Sequence, residues 1–220
     1  MITTALFDLD GTLVDSVPGV QHAIQAAWQA VQPEVPCPEV RRLMGPPIRE
    51  MFRRCLTEPS EVLLNEMERR FRAAYDSEGW RRTSVFPGVL GALEALRSSG
   101  VRCLGVTNKP ARPTQRILEY CGLAKFFEMF LSPDSRVPAF PSKTQIVQTL
   151  AAEGKINPPE SALIGDTIED ARVARACGLR FVAFAGGYGW AELEASGEAG
   201  IVLERFHQLP SRLGEMASAR

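Results

Sequence analysis

Four short apolar runs, each closed by polar or turn residues, constrain this chain more than any other feature. They are "TTALFD" at 3–8, "VRCLGVTN" at 101–108, "SALIGD" at 161–166 and "RFVAFAGG" at 180–187. Apolar residues run through them almost without a break instead of alternating, which is the pattern of strands buried on both faces. The segments between them carry helical patterns. "PGVLGALEALRSSG" puts Val89, Leu93 and Leu96 on one face and closes at Gly100, while "RPTQRILEYCG" and "EDARVARACG" close at Gly122 and Gly178. Strands and helices in alternation predict an α/β fold: a parallel, Rossmann-like sheet core flanked by helices, with right-handed crossovers. A sheet of this kind places its site at the carboxyl ends of the strands.

Residues 17–85 break that rhythm. Ile24, Ala27, Trp28 and Val31 share a helical face, and "IREMFRRCL" and "VLLNEMERRFRAAY" are amphipathic, with "QPEVPCPEV" and "EPSE" as separators. The expectation is a helical insertion at 17–85, within a core made of 1–16 and 86–220.

Composition narrows the function classes. A formal net charge of -1 leaves no electrostatic footprint for nucleic acid or an anionic membrane surface. No apolar stretch reaches the ~20 residues that a membrane-crossing helix needs, and the start "MITTALFDLDGT" lacks the basic region of a secretory signal. Cys37, Cys55, Cys103, Cys121 and Cys177 are scattered without CxxC spacing, which favours reduced thiols in a cytoplasmic setting.

The strand ends carry the chemistry. The first run ends in Asp8, with Asp10 two residues on; the second ends in Thr107 and Asn108; the third ends in Asp166, with Asp170 in the next helical turn. Taken singly, each has an ordinary role, Asp10 in a turn or Asp170 as a first-turn acid favoured by the helix dipole. Gathered at one sheet edge, several carboxylates call for a divalent cation, and oxygen-only ligands point to Mg²⁺. Lys143 is a further oddity. Ser142 reads as a helix N-cap, so Lys143 falls in the first turn, where a cation opposes the dipole.

These pieces resemble the haloacid dehalogenase superfamily, within it the phosphoglycolate-phosphatase-like branch with an inserted α-helical cap domain. Its DxDGT motif is matched by Asp8-Leu9-Asp10-Gly11-Thr12, its second motif by Thr107-Asn108, its lysine opening a helix by Lys143, and its GDxxxD motif by Gly165 to Asp170. The resemblance implies a Mg²⁺-dependent phosphatase acting on a small phosphorylated metabolite through an aspartyl-phosphate. Asp8 would be the nucleophile, Asp10 the general acid and base, and Lys143 the ammonium offsetting negative charge on the nucleophile and the phosphoryl group. Gly11, Thr107 and Asn108 would bind the phosphoryl group. Asp8, Asp166 and the main-chain carbonyl of Asp10 would hold the metal, with Asp170 as ligand or close support. Arg136 stands as a second candidate for the Lys143 role.

Arg49, beside "GPPI" in the cap, is a candidate for a substrate carboxylate or second phosphate, set against a solvated helix face rich in Arg41, Arg42, Arg53 and Arg54. The cap is expected to close over the core site and set specificity. Other readings are a sugar phosphomutase of the same superfamily or a phosphoaspartate receiver-type protein. A receiver leaves Asp10, the GDxxxD pair and the helical insertion without purpose. The expected assembly is a monomer or homodimer.

Overall fold

A computed structural model describes residues 1–218, apart from the side chains of Arg42, Ala217 and Ser218. The strands are β1 (Thr4–Phe7), β2 (Val14–Asp15), β3 (Ser84–Val85), β4 (Arg102–Val106), β5 (Met129–Leu131), β6 (Ser161–Gly165), β7 (Arg180–Phe184) and β8 (Ile201–Leu203). The helices are α1 (Val17–Val31), α2 (Ile48–Cys55), α3 (Glu61–Ser77), α4 (Val89–Ser98), α5 (Ala111–Tyr120), α6 (Lys143–Ala152), α7 (Ile168–Ala176), α8 (Trp190–Ser196) and α9 (Leu209–Ser218). The chain divides into two compact units, one of Met1–Val14 with Val85–Arg220, the other of Asp15–Ser84.

The first unit holds a six-stranded sheet in the order β5-β4-β1-β6-β7-β8. Every pairing in it is parallel. From β1 the chain builds outward through β4 to β5, then returns to the other side of β1 for β6, β7 and β8. The direction of winding thus reverses around β1, which opens a crevice at the carboxyl ends of the central strands. The register pairs Phe7 with both Gly105 and Ile164. Asp8 therefore leaves its strand within one residue of the level of Thr107 and Asp166.

Burial explains why these strands read so clearly. Leu6, Leu104, Val106 and Leu163 pack with Ile146, Val147 and Leu150 of α6 and Val173 and Ala174 of α7. The alternate residues Ala5, Phe7 and Cys103 face the other side of the sheet and are buried as well. Helices α4, α5 and α7 run into Gly100, Gly122 and Gly178, all at positive φ. The edge strands β5 and β8, three residues each and only partly buried, lie outside the four apolar runs.

The second unit is a helical module with its own core. Ile24, Ala27 and Trp28 of α1 pack with Met51 and Phe52 of α2 and Leu64, Met67 and Phe71 of α3, with Met44 against the same cluster. Trp28 also donates its indole N–H to the Val35 carbonyl at 2.8 Å. No helix among the described residues is long and apolar enough to cross a membrane.

Leu6 lies at the centre of the sheet with no exposed surface. Leu6→Ala is expected to cost about 2–5 kcal/mol in urea denaturation. Val62→Ala, on the open face of α3 where Val62 is 80% exposed, is expected to change stability by less than about 0.5 kcal/mol.

Candidate active site

The residues after β1 form a tight turn. Gly11 donates to the Val14 carbonyl at 2.9 Å, and Leu13 and Val14 both donate to the Leu9 carbonyl. Gly11 needs its missing side chain twice over. Its φ is +87°, and a Cβ there would lie 2.5 Å from an Asp166 carboxylate oxygen. The turn presents Asp8, which is buried, and Asp10, which is partly open.

Asp8, Asp166 and Asp170 are all buried, and each offers an oxygen within 4.8 Å of the other two. Lys143 joins them from the first turn of α6. Ser142 caps that helix through its hydroxyl, which accepts from Gln145 N. The Lys143 ammonium, itself 3% exposed, donates to Asp8 Oδ1 and to Asp170 Oδ1, each at 2.8 Å. The cation that a helix N-terminus disfavours is thus held by two carboxylates. Arg136 is exposed and stacks on the Phe140 ring at 4.1 Å, so it does not share this cluster.

Asp170 is fixed from both ends. Its Oδ2 accepts from the Thr167 hydroxyl at 2.6 Å and from Thr167 N, and its own N–H donates back to Thr167 Oγ1, closing a capping box on α7. Asp166 accepts from the Thr12 hydroxyl at 2.9 Å and from Gly189 N at 3.1 Å. Gly187 also approaches so closely that a Cβ would sit 2.1 Å from the Asp166 Cβ. The "GGYGW" segment at 186–190 therefore seats Asp166.

Three buried carboxylates face one ammonium here, leaving two formal negative charges without a counterion. Burial drives the Asp8 carboxyl well above the usual carboxylate range, with Asp170 and Asp166 adding to the effect and Lys143 opposing it. Burial and then the Asp170 charge push Asp166 up to about 7, against the Gly189 N–H, Thr12 and Lys143. Burial also works against the Lys143 charge, yet Asp170 and Asp8 outweigh it and hold the ammonium protonated. An all-oxygen donor set with two charges to balance suits a hard divalent cation.

Asp10 lies outside this cluster, and its two carboxylate oxygens accept from Lys109 Nζ at 3.2 and 3.0 Å. Thr107 is buried, and its hydroxyl accepts from Lys109 N at 3.1 Å. Asn108 donates from Nδ2 to Glu169 Oε2 at 2.9 Å. Lys109 and Glu169 were not singled out from sequence. A lysine next to the Thr-Asn pair was the only available signal, since Asp10 is 99 residues away. Arg49 belongs to the helical unit, where its guanidinium donates to Asn65, Glu68 and Glu61.

Residues 5–184 match the family model for haloacid dehalogenase-like hydrolases. The chain belongs to that family. Among related haloacid dehalogenase-like proteins, a phosphoglycolate phosphatase of Nitrosococcus oceani is 32% identical, over 83% of this chain and 84% of its own length. A phosphoglycolate phosphatase of Cereibacter sphaeroides is 33% identical, over 83% of this chain and 85% of its own length. A haloacid dehalogenase-like hydrolase from Streptococcus pneumoniae superposes with a TM-score of 0.85 at 27% identity, covering 96% of this chain and 98% of that one. By these relationships the protein is a phosphoric monoester hydrolase.

The Asp166 shift carries a sign that can be tested in metal-free protein. Its folded pKa of about 7 lies above the unfolded value of 3.8, so the folded state binds the extra proton in that window. Stability should then fall as pH rises from about 5 to 8, on the order of 1 kcal/mol per unit. Thermal denaturation in a chelator should show a lower Tm at pH 8 than at pH 5. Asp166→Asn should make that slope shallower, leaving the part due to Asp8, whose pKa burial also raises.

Proposed function

We propose that this hydrolase cleaves a small, phosphoglycolate-sized phosphate monoester through an aspartyl-phosphate on Asp8. The observation that carries the reading is the buried Asp8, Asp166 and Asp170 cluster with a single ammonium inside it, at the carboxyl ends of central parallel strands. The phosphoglycolate phosphatase relatives support the substrate size.

In this reading Asp8 and Asp166, with the main-chain carbonyl of Asp10, would hold Mg²⁺, which would supply positive charge to offset the two reacting anions. Asp170 is assigned to holding Lys143, because one of its oxygens is taken by that ammonium and the other by Thr167. Lys143 donates to one Asp8 oxygen and so orients the carboxylate that attacks phosphorus. Asp10 protonates the departing alcohol and later takes a proton from the attacking water. Thr107, Asn108 and the amides near Gly11 donate to the phosphoryl oxygens. The reduced thiols are consistent with a cytoplasmic enzyme.

Residues 15–84 are assigned as the helical cap. Arg49 stands apart from the other candidates. Its guanidinium is already shared among Asn65, Glu61 and Glu68, which favours tying α2 to α3 over contacting a substrate.

Phosphate release from 2-phosphoglycolate and p-nitrophenyl phosphate tests the reading. Turnover is expected only with Mg²⁺, and Asp8→Asn is expected to lower it by at least about 10⁴-fold. Lys143→Met should cost about 10²-fold or more, with a raised Mg²⁺ requirement excluded as the sole cause. Turnover surviving Asp8→Asn would refute the covalent mechanism.

A further inference from the structure

We propose that Lys109 is a positioning residue for Asp10, holding the carboxyl that moves the proton; this rests on the phosphatase mechanism above. The pair joins two adjacent strand ends, with Asp10 following β1 and Lys109 following β4. Lys109 Nζ reaches both Asp10 oxygens, at 3.2 and 3.0 Å, and the Lys109 side chain is only 8% exposed. A donor shared by both oxygens restrains the rotation of the carboxyl as well as its distance.

The backbone beneath each partner is also pinned. Lys109 donates its N–H to Thr107 Oγ1 at 3.1 Å, and its carbonyl accepts from the Thr114 hydroxyl at 3.4 Å. Pro110 follows as the N-cap of α5, and Ala111 N donates to Asp134 Oδ1 at 2.8 Å. On the other side, Asp10 bridges to Val14 across the tight turn. An ammonium on so rigid a mount suits a positional task better than a surface charge does. It is also separate from Lys143, which is engaged by Asp8 and Asp170.

The role follows from the proton inventory. In the first half-reaction the bond from Asp8 oxygen to phosphorus forms while the bond from phosphorus to the ester oxygen breaks. The Asp10 O–H proton passes to that ester oxygen, and Asp10 is left as a carboxylate facing the Lys109 ammonium. In the second half-reaction water oxygen bonds to phosphorus, its proton returns to Asp10, and the Asp8–phosphorus bond breaks. Lys109, bonded to both carboxyl oxygens, thus keeps Asp10 in one place and one orientation across the two halves.

A leaving-group comparison tests this. Nitrophenolate departs without a proton, whereas the alkoxide of 2-phosphoglycolate needs one, and kcat/KM reports the steps through that departure. Lys109→Met should lower kcat/KM for 2-phosphoglycolate by about tenfold more than for p-nitrophenyl phosphate. Lys109→Arg should restore most of the difference. Should Asp10 left unpaired prevent folding, the Asp10→Asn, Lys109→Met double variant removes that charge. Its kcat/KM for each ester should then stay within about threefold of Asp10→Asn alone. Equal losses on both esters, or a further tenfold loss in the double variant, would show that Lys109 acts independently of Asp10 and overturn the proposal. Wild-type protein that cleaves neither ester with Mg²⁺ would overturn the phosphatase reading and this proposal together.

Discussion

The Lys143 ammonium, buried between Asp8 and Asp170 at 2.8 Å from each, is the interaction on which the site depends. Carboxylates this close repel one another and lose hydration on burial, so they hold together around positive charge or by taking up protons. Lys143 supplies one charge and leaves the demand for two more, which is what a divalent cation meets. Removing either partner of such a pair leaves an uncompensated charge in the interior, a cost larger than the net worth of the pair itself. The placement of α6 follows from this. Its first turn carries a cation against its own dipole, because two carboxylates outweigh a helix end.

The sheet makes that arrangement possible at modest cost. A parallel register brings the ends of β1, β4 and β6 level, so that one-residue extensions suffice to gather Asp8, Thr107 and Asp166. The surrounding loops then act by proximity. Gly11 and Gly187 let backbone pack onto the Asp166 side chain where any Cβ would collide, while Gly189 and Thr12 supply its hydrogen bonds. A second ammonium, Lys109, faces Asp10 just outside the buried cluster. Two lysines thus each hold a carboxylate, one inside the buried cluster and one nearer to solvent.

Much of this is legible in sequence, for physical reasons that differ by element. β1, β4, β6 and β7 announce themselves because burial on both faces demands continuous apolar runs. β5 and β8 do not, since three-residue edge strands bury too little to leave a pattern. Lys143 stands out because it breaks a local rule, and a broken local rule marks a site when tertiary contacts compensate for it. Lys109 breaks none, and only the fold reveals that its neighbour is Asp10. The "GGYGW" segment is silent for another reason: what it contributes is one amide N–H and an absence of side chains, and neither has a chemical signature in a string of residues.

The most direct measurement is mass spectrometry of the Asp8-containing peptide after rapid acid quench. Asp10→Asn is the enzyme to use, with p-nitrophenyl phosphate and Mg²⁺, because loss of the base slows hydrolysis of the intermediate while nitrophenolate still departs unaided. An Asp8 nucleophile predicts a phosphoryl group on Asp8, appearing with a burst of nitrophenolate comparable to the enzyme concentration. Continued nitrophenolate release with Asp8 unmodified, or the phosphoryl group on another residue, would contradict it.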